Sequence, residues 1–216
     1  MYLDIPHTKN NLYLNKNIGQ VRNKERMSLL VKKISETIMH EVSYSSLHKA
    51  VKSIIPSTSR NSIIDYISYA KDAYLLFSIK NYFSKFTERE SIPKYYFTDN
   101  GILNLFYIDK NAALLENMVA ITLFNKYSAN KIFYLKSAKT KIDIDFYIPE
   151  TATAIQVAWQ IDEMSKEREV GNLIKLAKTF KEAKRFMIVT KSQEEVIEQD
   201  GVKIEIIPLY KFLLES

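Results

Sequence analysis

KIDIDFYIPETATAIQVAW, residues 141–159, reads as two short strands joined by a turn. Ile142, Ile144, Phe146 and Ile148 alternate with Asp143, Asp145 and Tyr147, the period-2 pattern of a half-buried strand. Both aspartates therefore share one face. On the second strand Ala154, Gln156 and Ala158 share a face, opposite Ile155, Val157 and Trp159. A four-residue turn over 149–152 pairs Ile148 with Thr153 and sets Asp145 opposite Gln156. Directly opposed residues on one face bring their Cβ atoms to roughly 4.5–5.5 Å. Two oxygen-bearing side chains that close can hold a hard divalent ion. A turn one residue shorter or longer would move them to opposite faces.

The 216 residues suffice for one large domain or two small ones. There is no cysteine, which excludes disulfides, thiolate catalysis and cysteine-ligated metal centres, and a reducing compartment is the simplest reading. No apolar run reaches the roughly 20 residues that span a bilayer, and no secretory signal is visible, so a soluble intracellular protein is expected. The four glycines are isolated from one another, which excludes GxxxxGK and GxGxxG phosphate loops. His7, His40 and His48 are not clustered, so no histidine metal site is expected. An Ile-, Lys-, Asn- and Tyr-rich composition suggests an AT-rich microbial or viral genome.

The net charge of +6 is uneven. Residues 1–100 carry 15 Lys+Arg against 9 Asp+Glu, whereas residues 101–216 carry 16 of each. A basic module joined to a neutral one points to phosphate contact by the first, against the plainer reading of a solvated lysine-rich surface.

Along the chain, 1–20 reads as an irregular polar arm. Helical spacing is expected over 24–40, then in helices over 46–54 and 57–73, the last two separated by Pro56 and capped by nearby serines and Thr58. Aromatic strands at 74–83 and 94–98 follow, linked by a polar loop. Three helices and a hairpin are the order of a winged helix-turn-helix. There the third helix can enter the major groove, with Arg60 and Asn61 on its first turn and Lys49, Lys52, Lys80 and Lys85 on flanking pieces. Docking to protein is the other use of such a module. The second half, 101–216, begins after the Asp99-Asn100-Gly101 turn signal. It reads as a helix over 112–127, strands over 131–136, 142–148 and 153–159, a helix over 162–184, strands over 185–190 and 202–207, and a terminal helix. Arg168 and Glu169 on the long helix are expected in ordinary surface ion pairs.

That α-β-β-β-α-β order resembles the restriction-endonuclease-like PD-(D/E)XK superfamily. The resemblance implies a magnesium- or manganese-dependent site with an Asp on the second strand, an (E/Q)xK on the third and a Glu from the first helix. Residue by residue these are Asp145, Gln156 and Glu116, with Asp143 as a further metal ligand. Ala158 stands where the lysine is expected, and Lys136, Lys139, Lys141, Arg168 or Lys175 are candidates to replace it. The chain from about residue 22 onward is also similar to the C-terminal half of archaeal and bacterial AAA-type ATPases, a winged helix followed by a nuclease-like domain. The matching stretches are Asp65–Tyr69, Ala73–Phe77, Pro93–Gly101, Leu115–Val119, Asp143–Phe146 and Gln156–Ala158. This implies a DNA-binding, nuclease-like protein, either a stand-alone relative of viral or mobile-element origin or a fragment. The alternative expectation is an inactive module that dimerises or docks a separate AAA-type ATPase.

Overall fold

The structure is a computed structural model, and it describes residues 23–85, 91–107 and 110–215. The expected arm over 1–20 lies outside the described residues. The fold is mixed α/β, built on one eight-stranded mixed sheet.

The first three helices start where short polar side chains can satisfy free backbone donors. Helix α1 (Lys24–Ser35) is capped by Asn23, α2 (Tyr44–Lys52) by Ser43 and α3 (Arg60–Asp72) by Ser59. The second helix thus begins two residues before the position expected from Ser46. Each cap oxygen accepts a backbone N–H three residues on, at 2.8, 3.0 and 3.1 Å. Replacing Ser59 by alanine should cost about 0.5–2 kcal/mol, read as a lower urea midpoint with an unchanged m-value.

Strands β1 (Leu76–Asn81) and β2 (Lys94–Phe97) form an antiparallel hairpin. Glu41, between α1 and α2, bridges Lys94, and the Val42 N–H donates to the Pro93 carbonyl at 2.9 Å. The far end of β1 continues into the second half: Lys80 and Asn81 pair in parallel with Phe133 and Tyr134 of β3 (Phe133–Ser137). A short helix α4 (Asn100–Asn104), capped by Asp99, replaces the expected simple turn. Helix α5 (Asn111–Tyr127) follows.

Beyond β3 come β4 (Ile142–Ile148), β5 (Thr153–Ala158), α6 (Glu163–Thr179), β6 (Arg185–Thr190), β7 (Glu195–Gln199), β8 (Val202–Pro208) and α7 (Leu209–Leu214). The sheet order is β2-β1-β3-β4-β5-β6-β8-β7. Neighbours β3–β4–β5 are antiparallel, and β5–β6–β8 are parallel. Strand β7, absent from the expected order of elements, pairs antiparallel on the outer edge with an exposed, acidic face.

Two apolar clusters cover the sheet. The larger joins α1–α3, β1 and β2 to α5 and to Phe146, Ile148, Ile155 and Val157. The smaller lies between α6 and Ile142, Ile144, Tyr147, Ala154 and Ala158. Apolar packing therefore runs unbroken across residue 100, as does the sheet.

Candidate functional site

The turn over 149–152 has the expected length: Pro149–Thr151 makes one 3-10 turn, Ala152 takes a left-handed conformation, and Ile148 pairs with Thr153. That register alone would put Asp145 and Gln156 on one face. The structure differs because β4 carries a bulge. Leu135 pairs with Ile144 and Phe133 with Tyr147, so three steps on β4 oppose two on β3. An extra residue of this kind breaks the alternation locally. Ile142, Ile144 and Tyr147 consequently pack on the α6 side, whereas Phe146 and Ile148 pack on the α5 side. Asp143 and Asp145 still share a face, the α5 side. Gln156 lies with Ala154 and Ala158 on the α6 side, so the expected juxtaposition of Asp145 and Gln156 side chains does not occur.

Gln156 is instead spent on the bulge. Its Oε1 accepts the Asp145 N–H at 2.9 Å, and its Nε2 donates to the Asp143 carbonyl at 3.1 Å and to Glu169 Oε2 at 2.8 Å. Backbone groups freed where β4 leaves β5 thus find partners on an amide side chain. Glu169 is buried rather than a surface ion-pair member, and burial pushes its carboxyl up. Arg168, exposed on the same helix, chelates Glu169 Oε1 at 2.9 and 2.5 Å.

Asp145 turns toward α5 and β2. Its Oδ1 faces Lys94 Nζ at 3.1 Å, and its Oδ2 accepts the Val157 N–H at 3.0 Å. Glu116, on the inward face of α5, places Oε1 3.7 Å from the same ammonium and accepts the Tyr96 hydroxyl at 2.8 Å. Lys94 and Tyr96 share a face of β2 because they are two residues apart. Helix α5 is fixed over this strand by Asn117, whose amide takes the Phe97 N–H at 2.8 Å and gives to the Phe97 carbonyl at 3.0 Å.

Lys94 and Glu116 are each 1% exposed, and the Asp145 side chain is 19% exposed. Burial alone would lower an ammonium pKa, but the Asp145 and Glu116 carboxylates overcome it and hold the Lys94 proton tightly. Glu116 moves the other way: burial, then the nearby Asp145 charge, push its carboxyl up to about 8, only partly opposed by Lys94 and Tyr96. Tyr96 stays a neutral phenol, its pKa raised by burial and by Glu116. Glu116 Oε2 is buried with no hydrogen-bond partner among the described residues.

A second, more exposed charge chain lines the rim. Lys136 Nζ lies 2.6 Å from Glu41 and 3.6 Å from Asp143. With Asn81, Tyr134 and Lys141 these residues line a cleft of about 580 Å³. Lys94 Nζ sits 5.7 Å from the Tyr134 ring centroid.

Of the expected site residues, the structure brings together Asp145 and Glu116 and separates Gln156 and Asp143 from them. Among the described residues no group of three or more His, Asp or Glu side chains is placed to share one metal ion. Of the cations expected to replace the lysine, Lys136 pairs at the rim, Lys175 reaches only the Lys141 carbonyl and Arg168 serves Glu169. The cation at the carboxylates is Lys94, which sequence reasoning missed. Its signal was a lysine opening the aromatic strand KYYF: a cation inside a buried strand must be paired. Arg60, Asn61, Lys49, Lys52 and Lys85 are exposed, and Lys80 is half-buried on β1.

Residues 15–113 match the family model described as a domain of unknown function, DUF8612. The match ends just before Glu116, so it includes Lys94 but not its two carboxylates. The chain is also similar to the uncharacterized protein MJ1544 of Methanocaldococcus jannaschii, 30% identical over 204 residues. The alignment covers 90% of this chain and 45% of that protein, so the chain spans less than half of its relative's length. No solved structure matches the chain. No helix among the described residues is long and apolar enough to cross a membrane.

Proposed function

We propose that the chain is a DNA-binding protein with a winged helix-turn-helix first half and a PD-(D/E)XK nuclease-like second half, a candidate magnesium- or manganese-dependent endonuclease. The observation that carries this reading is the meeting of Asp145, from the second strand after α5, with Glu116 of α5 and a buried ammonium. The strand pattern β3–β4–β5–β6, antiparallel twice and then parallel, with α5 and α6 on opposite faces, supports the nuclease-like part. Three helices, a hairpin and the Glu41–Lys94 bridge support the winged part.

The donor set fits a divalent ion through two residues. Glu116 offers a buried oxygen without a partner, and Asp145 is partly open to solvent. Gln156 and Asp143 do not fit, because their groups are engaged across the sheet and at the rim. Glu116 and Asp145 would hold such an ion, which would supply Lewis acidity toward a phosphodiester. The protein's own part is positional: the Val157 N–H fixes the Asp145 carboxylate, and Tyr96 fixes Glu116.

The test is binding and cutting of duplex, branched and single-stranded DNA at graded salt. Arg60→Ala should weaken duplex binding by about 1–3 kcal/mol, and a Lys49→Ala/Lys52→Ala pair should reduce the salt slope. Cleavage in magnesium or manganese should vanish in Asp145→Ala, and cleavage surviving that change refutes the site. A second reading has its own observation: Lys94 already lies between the carboxylates, as it would in a non-catalytic module that docks DNA, a second copy or an AAA-type ATPase. DNA binding without cleavage under every metal condition supports that reading.

A further inference from the structure

We propose that the Lys94 ammonium and a divalent cation compete for the same Glu116–Asp145 carboxylate pair, so that the chain carries its own occupant for a latent metal site. The inference rests on the reading of those two carboxylates as the ligand pair. Lys94 Nζ is 3.1 Å from Asp145 Oδ1 and 3.7 Å from Glu116 Oε1. An ion touching both carboxylates must enter the space between them, and the ammonium is there. Metal–oxygen bonds of about 2.0–2.6 Å would bring the ion closer to both oxygens than Nζ now stands. The ammonium and the ion would then repel at short range in a buried pocket with only two carboxylates to offset them.

The lysine also fills the pocket imperfectly. Glu116 Oε2 has no hydrogen-bond partner among the described residues, and the second Asp145 oxygen accepts the Val157 N–H rather than the ammonium. An orphaned buried carboxylate oxygen is costly unless something takes its lone pairs. A cation with several coordination positions satisfies it; the single ammonium at its present distances does not.

The experiment is Mn2+ titration of the full chain by calorimetry and thermal unfolding, comparing the parent with Lys94→Met and with Lys94→Met/Asp145→Asn. Lys94→Met keeps the aliphatic stem and removes the charge. It should bind Mn2+ about tenfold or more tightly than the parent, and Asp145→Asn should abolish the gain. Equal affinities of parent and Lys94→Met, whether both bind or neither does, overturn the proposal. Lys94→Gln, which retains a donor toward Asp145, replaces the methionine variant if that one does not melt cooperatively. Crystals of the parent grown with Mn2+ decide independently: an ion on Glu116 and Asp145 with Nζ still in ion-pair contact with both overturns the competition. A chain that neither binds nor cuts DNA refutes the functional reading while leaving this comparison intact.

Discussion

Lys94→Ala should lower folding stability by about 3–5 kcal/mol, the usual cost of removing one member of a buried ion pair. The loss comes less from a missing attraction than from what remains. Asp145 would face the space between α5 and β4 with one oxygen bound to the Val157 N–H and no counter-charge for the other. Glu116, already disfavoured as an anion by burial, would keep only Tyr96. Guanidinium denaturation at neutral pH measures the effect. A loss below about 1 kcal/mol, the range of surface pairs, would show that the three groups are not coupled as their geometry requires. The double variant Lys94→Met/Asp145→Leu should recover much of the loss, since replacing both members by apolar groups of similar size is often neutral or stabilising.

The protein should lose stability as pH rises from about 5 to 9, and Glu116→Gln should remove most of that slope. The sign follows from the direction of the shift. The folded-state carboxyl of Glu116 is raised from 4.5 to about 8. At low pH both folded and unfolded states are protonated, so nothing is lost. Between the two values the unfolded chain has released its proton while the folded chain still holds it, and stability falls with each pH step. Above about 8 the folded carboxyl ionises in place and the loss levels off. A shift of that size corresponds to several kcal/mol at about 1.4 kcal/mol per pKa unit. The measurement is a series of urea unfolding curves across this range in the presence of chelator. A slope that survives Glu116→Gln would assign the loss to other groups, Glu169 being the next buried carboxyl.

Much of the secondary structure was legible because periodicity and caps are local. Ser57, Thr58 or Ser59 before an Ile63, Ile64, Ile67 and Ala70 stripe announces α3, where Ser59 proves the cap and Ile64 is exposed, and Pro149 to Ala152 fixes the length of the β4–β5 turn. Two elements escaped for local reasons as well. Helix α4 is a single short turn held by the Asp99 cap, and β7 exposes nearly every residue, so it carries no apolar alternation. The site was legible only in part. Asp145 stood out by its place on an alternating strand and Glu116 only through the resemblance to the nuclease-like superfamily, while the face of Gln156 depended on a bulge that no residue of β4 signals by itself.

The sequence alone determined the order of elements, the turn that sets the β4–β5 register and the excess of positive charge in the first hundred residues. These follow from backbone propensity, side-chain period and composition, which act over a few residues at a time. Tertiary structure decided which charges meet. Lys94 and Asp145 are 51 residues apart in the chain, yet they form a buried pair because β2 and β4 approach the same face of α5. Whether a lysine is surface or core depends on what packs over its strand. Here α5 does, and the burial it imposes makes a lysine, an aspartate and a glutamate one electrostatic unit.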